Sequence, residues 1–205
     1  IELAKKVGAD IVIVSDPDAD RLGIAAPDKD GNWSSLSGNE GAVLMGYFYM
    51  NALKEAGKLP SNPVVIKTSV TSELVRDVAE SFGAEVIGDL LVGFKFIGDR
   101  AENLPKDKNF IFACEESVGY LFSNDYRDKG AETPAVVAAE LGAWCKKQGT
   151  QTCDRAVAHS ATIEEELRRF RTTRSCTHTG GGPSVDNCTN SVSVLGCGGV
   201  RVRTG

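Results

Sequence analysis

The chain carries short, nearly continuous apolar runs separated by segments of helical length, and this spacing limits what it can fold into. DIVIVS (10–15) and PVVIKTS (63–69) have the pattern of strands buried on both faces. RLGIAAP (21–27), NWSSL (32–36), AEVIGDLL (84–91) and NFIFACEES (109–117) add further strands, with DKDG (28–31) as a turn. Between them, residues 39–56 have helical length and stop at Gly57, with Pro60 beyond. SELVRDVAESF (72–82) is a second helix, with Thr71 or Ser72 as its cap and Gly83 at its end. GFKFIGDRAEN (93–103) and TPAVVAAELGAWCKKQ (133–148) are two more, and Pro134 suits the first position of the last. IELAKKVGAD at the start reads as the final turns of a helix closed by a glycine. Strands alternating with helices predict an α/β fold, a mixed sheet with flanking helices.

A length of 205 residues suits one domain or little more. The net charge of −5 disfavours nucleic acid as the main partner, because phosphate backbones call for a basic face. No apolar run approaches the roughly 20 residues of a membrane span, and no signal-peptide pattern opens the chain. Composition changes sharply near Gly149: no lysine follows Lys147, Phe170 is the only aromatic beyond it, and Gly, Ser and Thr crowd the remainder. Residues 150–205 are therefore expected to be a non-homologous tail, either disordered or the product of a frameshift. Within it, residues 161–170 have helical character, and Cys153, Cys176, Cys188 and Cys197 lack the spacing of a zinc site.

Three constellations carry chemistry. The first is SDPDADR (15–21), where Asp16, Asp18 and Asp20 follow a strand directly. Like charges this close call for a positive partner, a hard cation or an arginine. An EF-hand loop opens the same way but needs Gly at its sixth position and Glu at its twelfth; Arg21 and Pro27 stand there. A phosphatase with an aspartate nucleophile would need Thr or Val where Asp20 stands. A solvated acidic turn is the plain alternative. The second is CEESVGY (114–120), whose acids and hydroxyl suit sugar hydroxyls, or simply a capped turn. The third is YRDKGAET (126–133), where Arg127 and Lys129 could hold phosphate or move a proton, or only face solvent. Gly93 in GFKFIGDR would let backbone approach a ligand closely, although Phe94 and Phe96 also suit a core.

In this order, D-x-D-x-D-R, G-F-K-F-I-G, E-E-S-x-G-Y and R-D-K resemble the α-D-phosphohexomutase superfamily, in its phosphoglucomutase/phosphomannomutase branch with phosphopentomutase-like members. GNE (38–40) and KTSVTS (67–72) fit the same pattern, and the resemblance covers residues 1 to about 149. It implies that residues 1–40 end a metal-loop domain, the second of four, and that 41–149 form the third, sugar-binding domain. It implies Asp16, Asp18 and Asp20 as Mg²⁺ ligands, and Arg21 as their orienting or phosphate-contacting partner. Glu115, Ser117, Gly93, Phe94 and Arg127 would contact a hexose or pentose phosphate, and Lys129 would be the general acid or base. Val92, Cys114 and Gly130 depart from the family pattern, which often has Thr, Gly and Asp there; the last bears on how Lys129 is oriented.

The family reaction interconverts sugar 1-phosphates and 6-phosphates through a bisphosphate and an enzyme phosphoserine, with Mg²⁺ neutralising charge on the phosphoryl oxygens. The phosphoserine lies in a Ser-His-Asn-Pro-like loop of the first domain. Ser61-Asn62-Pro63 lacks the histidine and leads into a structural strand, and RVRTG at the end does not match the fourth domain's phosphate loop. The expectation is a cytoplasmic enzyme fragment, inactive alone, acting on a phosphosugar with no nucleic acid or membrane partner. The alternative is a noncatalytic sugar-phosphate-binding or regulatory module.

Overall fold

The computed structural model describes residues 1–149, so the expectations for the tail fall outside the described residues. A short helix, α1 (Glu2–Val7), ends at Gly8 and leads into a hairpin of β1 (Val12–Ser15) and β2 (Leu22–Pro27), joined by β3 (Trp33–Ser35). Then follow α2 (Gly38–Glu55), β4 (Pro63–Thr68), α3 (Leu74–Ser81), β5 (Glu85–Leu90), α4 (Phe94–Glu102), β6 (Asn109–Glu115), β7 (Gly119–Leu121) and α5 (Glu132–Lys147). The strands divide between an antiparallel sheet, β1-β2-β3, and a mixed sheet, β5-β4-β6-β7, in which only β6–β7 is antiparallel. The α/β fold with a mixed sheet and flanking helices is thus present. Among the described residues no helix is long and apolar enough to cross a membrane.

Strand β4 is buried along its whole length, as its apolar run predicts. Its side chains alternate between two cores. Val65 packs with Val75, Val78 and Ala79 of α3 and with Phe112. Val64 and Ile66 pack on the other face with Phe94, Ile97 and Ala101 of α4. The pairing of β4 with β6 shifts at Val64 and Val65, which face Phe110 and Phe112, so Ile111 is the extra residue of a bulge. Helix α2 buries much of its surface because it lies in the larger core, which it shares with β2, α3 and α5. That core joins the two sheets: Leu22, Ile24 and Ala26 of β2 meet it from the antiparallel side.

Four local expectations change. Strand β1 is not buried on both faces: Ile11 and Ile13 pack on the core, whereas Val14, on the opposite face of the antiparallel sheet, is 56% exposed. The strand expected over 109–117 ends two residues early, at Glu115; the chain reverses through Glu116–Val118, and β7, which the sequence did not signal, returns beside it. Pro134 occupies the third position of α5 rather than the first, still in the turn whose backbone N–H groups lack intrahelical partners. Helix α3 starts two residues later than expected, with Glu73 at its N-cap; Ser72 Oγ still accepts the Leu74 N–H at 3.2 Å.

Candidate functional site

The six residues joining β1 to β2 form the acidic loop, since Ser15 and Leu22 are paired across the hairpin. Asp16 organises it. Its Oδ1 accepts the backbone N–H groups of Asp20 and Arg21 at 3.1 Å each, and its Oδ2 accepts Arg21 Nε–H at 2.6 Å. Ala19 takes a left-handed conformation, φ 56°, to turn the loop back. Folded this way, Asp16, Asp18 and Asp20 each present an oxygen within 4.8 Å of the others. Burial raises the Asp16 pKa, but the backbone N–H and guanidinium of Arg21 outweigh it and hold the carboxyl at about 2. Among the described residues Asp20 Oδ1 is buried without a hydrogen-bond partner; Arg21 Nε is 3.3 Å away as an ion pair but outside hydrogen-bond geometry. An all-oxygen donor set with one orphaned carboxylate oxygen fits a hard cation such as Mg²⁺.

The β6–β7 turn supplies the second part. Glu115 ends β6, is only 4% exposed, and accepts the Gly93 N–H on Oε1 at 3.0 Å. Gly93 makes that bond from φ 125°, a conformation L side chains rarely adopt, and it is the N-cap of α4. A Cβ there would meet nothing closer than 3.8 Å, so conformation rather than space selects the glycine. Ser117 is exposed in the turn. Val118 (φ 58°) accepts the Leu22 N–H on its carbonyl at 3.0 Å, which ties the turn to the strand leaving the acidic loop. From the other side, Tyr120 Oη donates to the Gly38 carbonyl at 3.1 Å, at the start of α2.

Lys129 closes the arrangement. Its Nζ is 3.1 Å from Asp20 Oδ2 and 5.5 Å from the centroid of the Phe94 ring, and its side chain is 16% exposed. The Ala131 N–H donates to the Ala19 carbonyl at 2.9 Å, so the segment carrying Lys129 is bonded directly to the acidic loop. The position after Lys129 is Gly130, and the lysine's carboxylate partner is Asp20, from the acidic loop.

The structure therefore brings together Asp16, Asp20, Arg21, Gly93, Phe94, Glu115 and Lys129, with Asp18 and Ser117 exposed beside them. Arg127 does not join them. It is 70% exposed and its guanidinium pairs with Glu102 of α4. Sequence reasoning missed Gly119, whose absent Cβ leaves room for the Lys129 stem: a Cβ there would lie 2.6 Å from Lys129 Cδ. It also missed the support of the turn. Thr68 and Thr71 both donate to Glu116 Oε2, at 3.2 and 3.4 Å, and Lys67, wholly buried, bonds the Thr71 carbonyl and Glu73. The S-x-x-E run at 37–40 signals a further feature, the capping box of Ser37 and Glu40 that starts α2.

Comparison with known proteins places this geometry. The chain is 37% identical over 148 residues to the phosphopentomutase of Mus musculus, and 36% identical over 155 residues to a phosphoglucomutase of Staphylococcus epidermidis. These matches take in 69% and 75% of this chain. The chain spans only about a quarter of the length of those relatives, 23% and 27%. A solved structure from Thermus thermophilus, assigned as a phosphomannomutase, shares the fold at a TM-score of 0.55 and 20% identity, over 75% of this chain and 31% of that one. The profile of "Phosphoglucomutase/phosphomannomutase, alpha/beta/alpha domain III" matches residues 40–162. That match takes in more than half of the 205 residues, and the chain belongs to the phosphoglucomutase/phosphomannomutase family.

Proposed function

We propose that this chain carries the metal loop and sugar-binding surface of a phosphohexomutase that interconverts a sugar 1-phosphate and 6-phosphate, in a cytoplasmic setting. The observation that carries the reading is the meeting of Asp20 and Lys129 at 3.1 Å, which joins the acidic loop to the segment that follows β7. Asp16, Asp18 and Asp20 would hold Mg²⁺, which when bound supplies positive charge against the phosphoryl oxygens. Arg21 fixes Asp16 in its ionised form and adds a second positive group beside the phosphoryl position.

Glu115 and Ser117 would hold vicinal sugar hydroxyls. The Gly93 N–H occupies one Glu115 oxygen and so fixes the direction in which the other accepts. Phe94, at the start of α4, would line the sugar site, and Lys129 would give or take the proton at the sugar oxygen that enters or leaves the phosphoryl group. Arg127 would reach a phosphate only by releasing Glu102. The substrate class is a hexose or pentose phosphate.

The serine that carries the phosphoryl group in this reaction has no counterpart among the 205 residues, so the chain alone is proposed to bind without turning over. The test measures glucose 1-phosphate conversion by the purified chain, alone and with the other domains of a relative supplied. Activity only in the mixture, lost on Asp18→Asn, is the expected result. Steady turnover by the chain alone that Asp18→Asn abolishes would overturn the inactivity, and no turnover in either case together with no sugar-phosphate binding would overturn the function.

A further inference from the structure

We propose that Lys129 is a metal-gated ammonium, resting on Asp20 while the acidic loop is metal-free and passing to Glu115 when a divalent cation occupies the three aspartates. The inference rests on the reading of the loop as a Mg²⁺ site and goes beyond it, because it assigns Lys129 two positions and makes metal occupancy choose between them.

The charges around the loop favour the resting position. Three carboxylates lie within 4.8 Å of one another, and among the described residues two cations face them, Arg21 on Asp16 and Asp20 and Lys129 on Asp20. That leaves the cluster net negative, and it retains the ammonium. A divalent cation on the same oxygens reverses the sign, and an ammonium in contact with Asp20 Oδ2 then stands against a like charge.

The geometry supplies the second position. The Lys129 stem and the Glu115 carboxylate meet over the same glycine. From the point where a Cβ of Gly119 would stand, Lys129 Cδ is 2.6 Å away and both Lys129 Cε and Glu115 Oε2 are 3.5 Å away. Glu115 Oε1 is held by the Gly93 N–H, and Oε2 is the oxygen that lies beside Gly119, as the lysine stem does. In the proposal the ammonium changes carboxylates by rotating its outer torsions. The Phe94 ring, 5.5 Å from Nζ, lies beside the resting position and offers its π face to the cation. The consequence for the proposed reaction is order: the proton-carrying group would reach the sugar side only once the metal is in place.

Linkage makes the proposal measurable without turnover, because a group that must move for the metal to bind alters the metal's affinity. Mg²⁺ affinity is measured by calorimetry on the 205-residue chain and on five variants. Lys129→Met is expected to bind about tenfold more tightly than wild type, and Lys129→Arg about as wild type. Glu115→Gln is expected to bind more weakly in the wild-type background, where the displaced ammonium loses its acceptor, and to have no effect when combined with Lys129→Met. Affinity of Lys129→Met equal to or below wild type, including no binding in either, overturns the gate. An equal effect of Glu115→Gln in both backgrounds also overturns it, since the ammonium then never reaches Glu115. Asp18→Asn separates the two readings: if it binds Mg²⁺ as tightly as wild type, the loop is not the metal site and the underlying reading fails instead.

Discussion

Lys129 Nζ stands 3.1 Å from Asp20 Oδ2, so the segment that follows β7 is joined by charge to the hairpin that opens the structure. The same two segments are joined by backbone, through the Ala131 N–H and the Ala19 carbonyl at 2.9 Å. A third tie runs from Leu22 N–H to the Val118 carbonyl at 3.0 Å, reaching the turn that carries Glu115 and Ser117. The antiparallel hairpin and the mixed sheet thus meet at the candidate site through loops, while their hydrophobic faces share one core behind it. This arrangement keeps the polar groups on fixed supports, and the glycines at the contact points are where it is easiest to test.

Gly38 and Gly119 are both tightly enclosed but against different neighbours. A Cβ at Gly38 would fall 1.9 Å from the Glu116 carbonyl oxygen and 2.8 Å from the Val118 nitrogen, both backbone atoms of a tied turn. At Gly119 the nearest atom is Lys129 Cδ, part of a flexible stem. Urea unfolding should show Gly38→Ala destabilised by about 2 kcal/mol or more and Gly119→Ala by less than about 1 kcal/mol. Equal losses would mean that the turn is less firmly fixed than its hydrogen bonds indicate.

Gly93→Ala separates conformation from packing. The site has room for a methyl group, so the cost comes from holding an alanine at φ 125° and is about 1–3 kcal/mol by urea unfolding. Relief of that strain would turn the residue 93 N–H away from Glu115, so sugar-phosphate affinity should fall as well. Unchanged stability would show that the backbone there is not fixed in this conformation.

The residue patterns that give the elements are local, and they were legible. Strand β4, fully buried, and helix α3, with Val75, Val78 and Ala79 on one face, follow from period and composition alone. The acidic loop was legible too, including its need for positive partners, although only Arg21 is near in sequence. Lys129 meets Asp20 through the fold, and no spacing rule connects them. The same limit explains Val14 and Arg127: an apolar run does not reveal which face of its sheet is covered, and a charged loop does not reveal which acid it meets. Strand β7 was hidden because Glu116–Val118 reverses the chain through a valine at φ 58°, where a glycine would have signalled the turn.

Cys114 offers a chemical test of the interior of the mixed sheet. Burial pushes its thiol up to about 12, only partly opposed by the nearby Lys67 ammonium, so almost no thiolate forms at about pH 8. Brief iodoacetamide treatment of the native chain, followed by peptide mapping, should leave the Cys114 peptide unmodified until urea unfolds the protein. Rapid native labelling would contradict the placement of β6 between β4 and β7.

Glu73 links stability to pH. Burial raises its pKa, but the Lys67 and Arg76 side chains bonded to it outweigh that and set it below the ordinary value of 4.5. A carboxyl lowered on folding stabilises the protein above its unfolded value, and that contribution disappears as pH falls through the folded value. The wild-type melting temperature should therefore drop more steeply than that of Glu73→Gln as pH is lowered from 4.5. At neutral pH the substitution should cost only about 1 kcal/mol, because Glu73 is largely exposed and the Thr68 and Thr71 carbonyls still accept from Lys67 Nζ. Parallel pH profiles for the two proteins would show that the ion pair at the base of the β4 turn contributes nothing to folding, leaving the buried ammonium satisfied by backbone carbonyls alone.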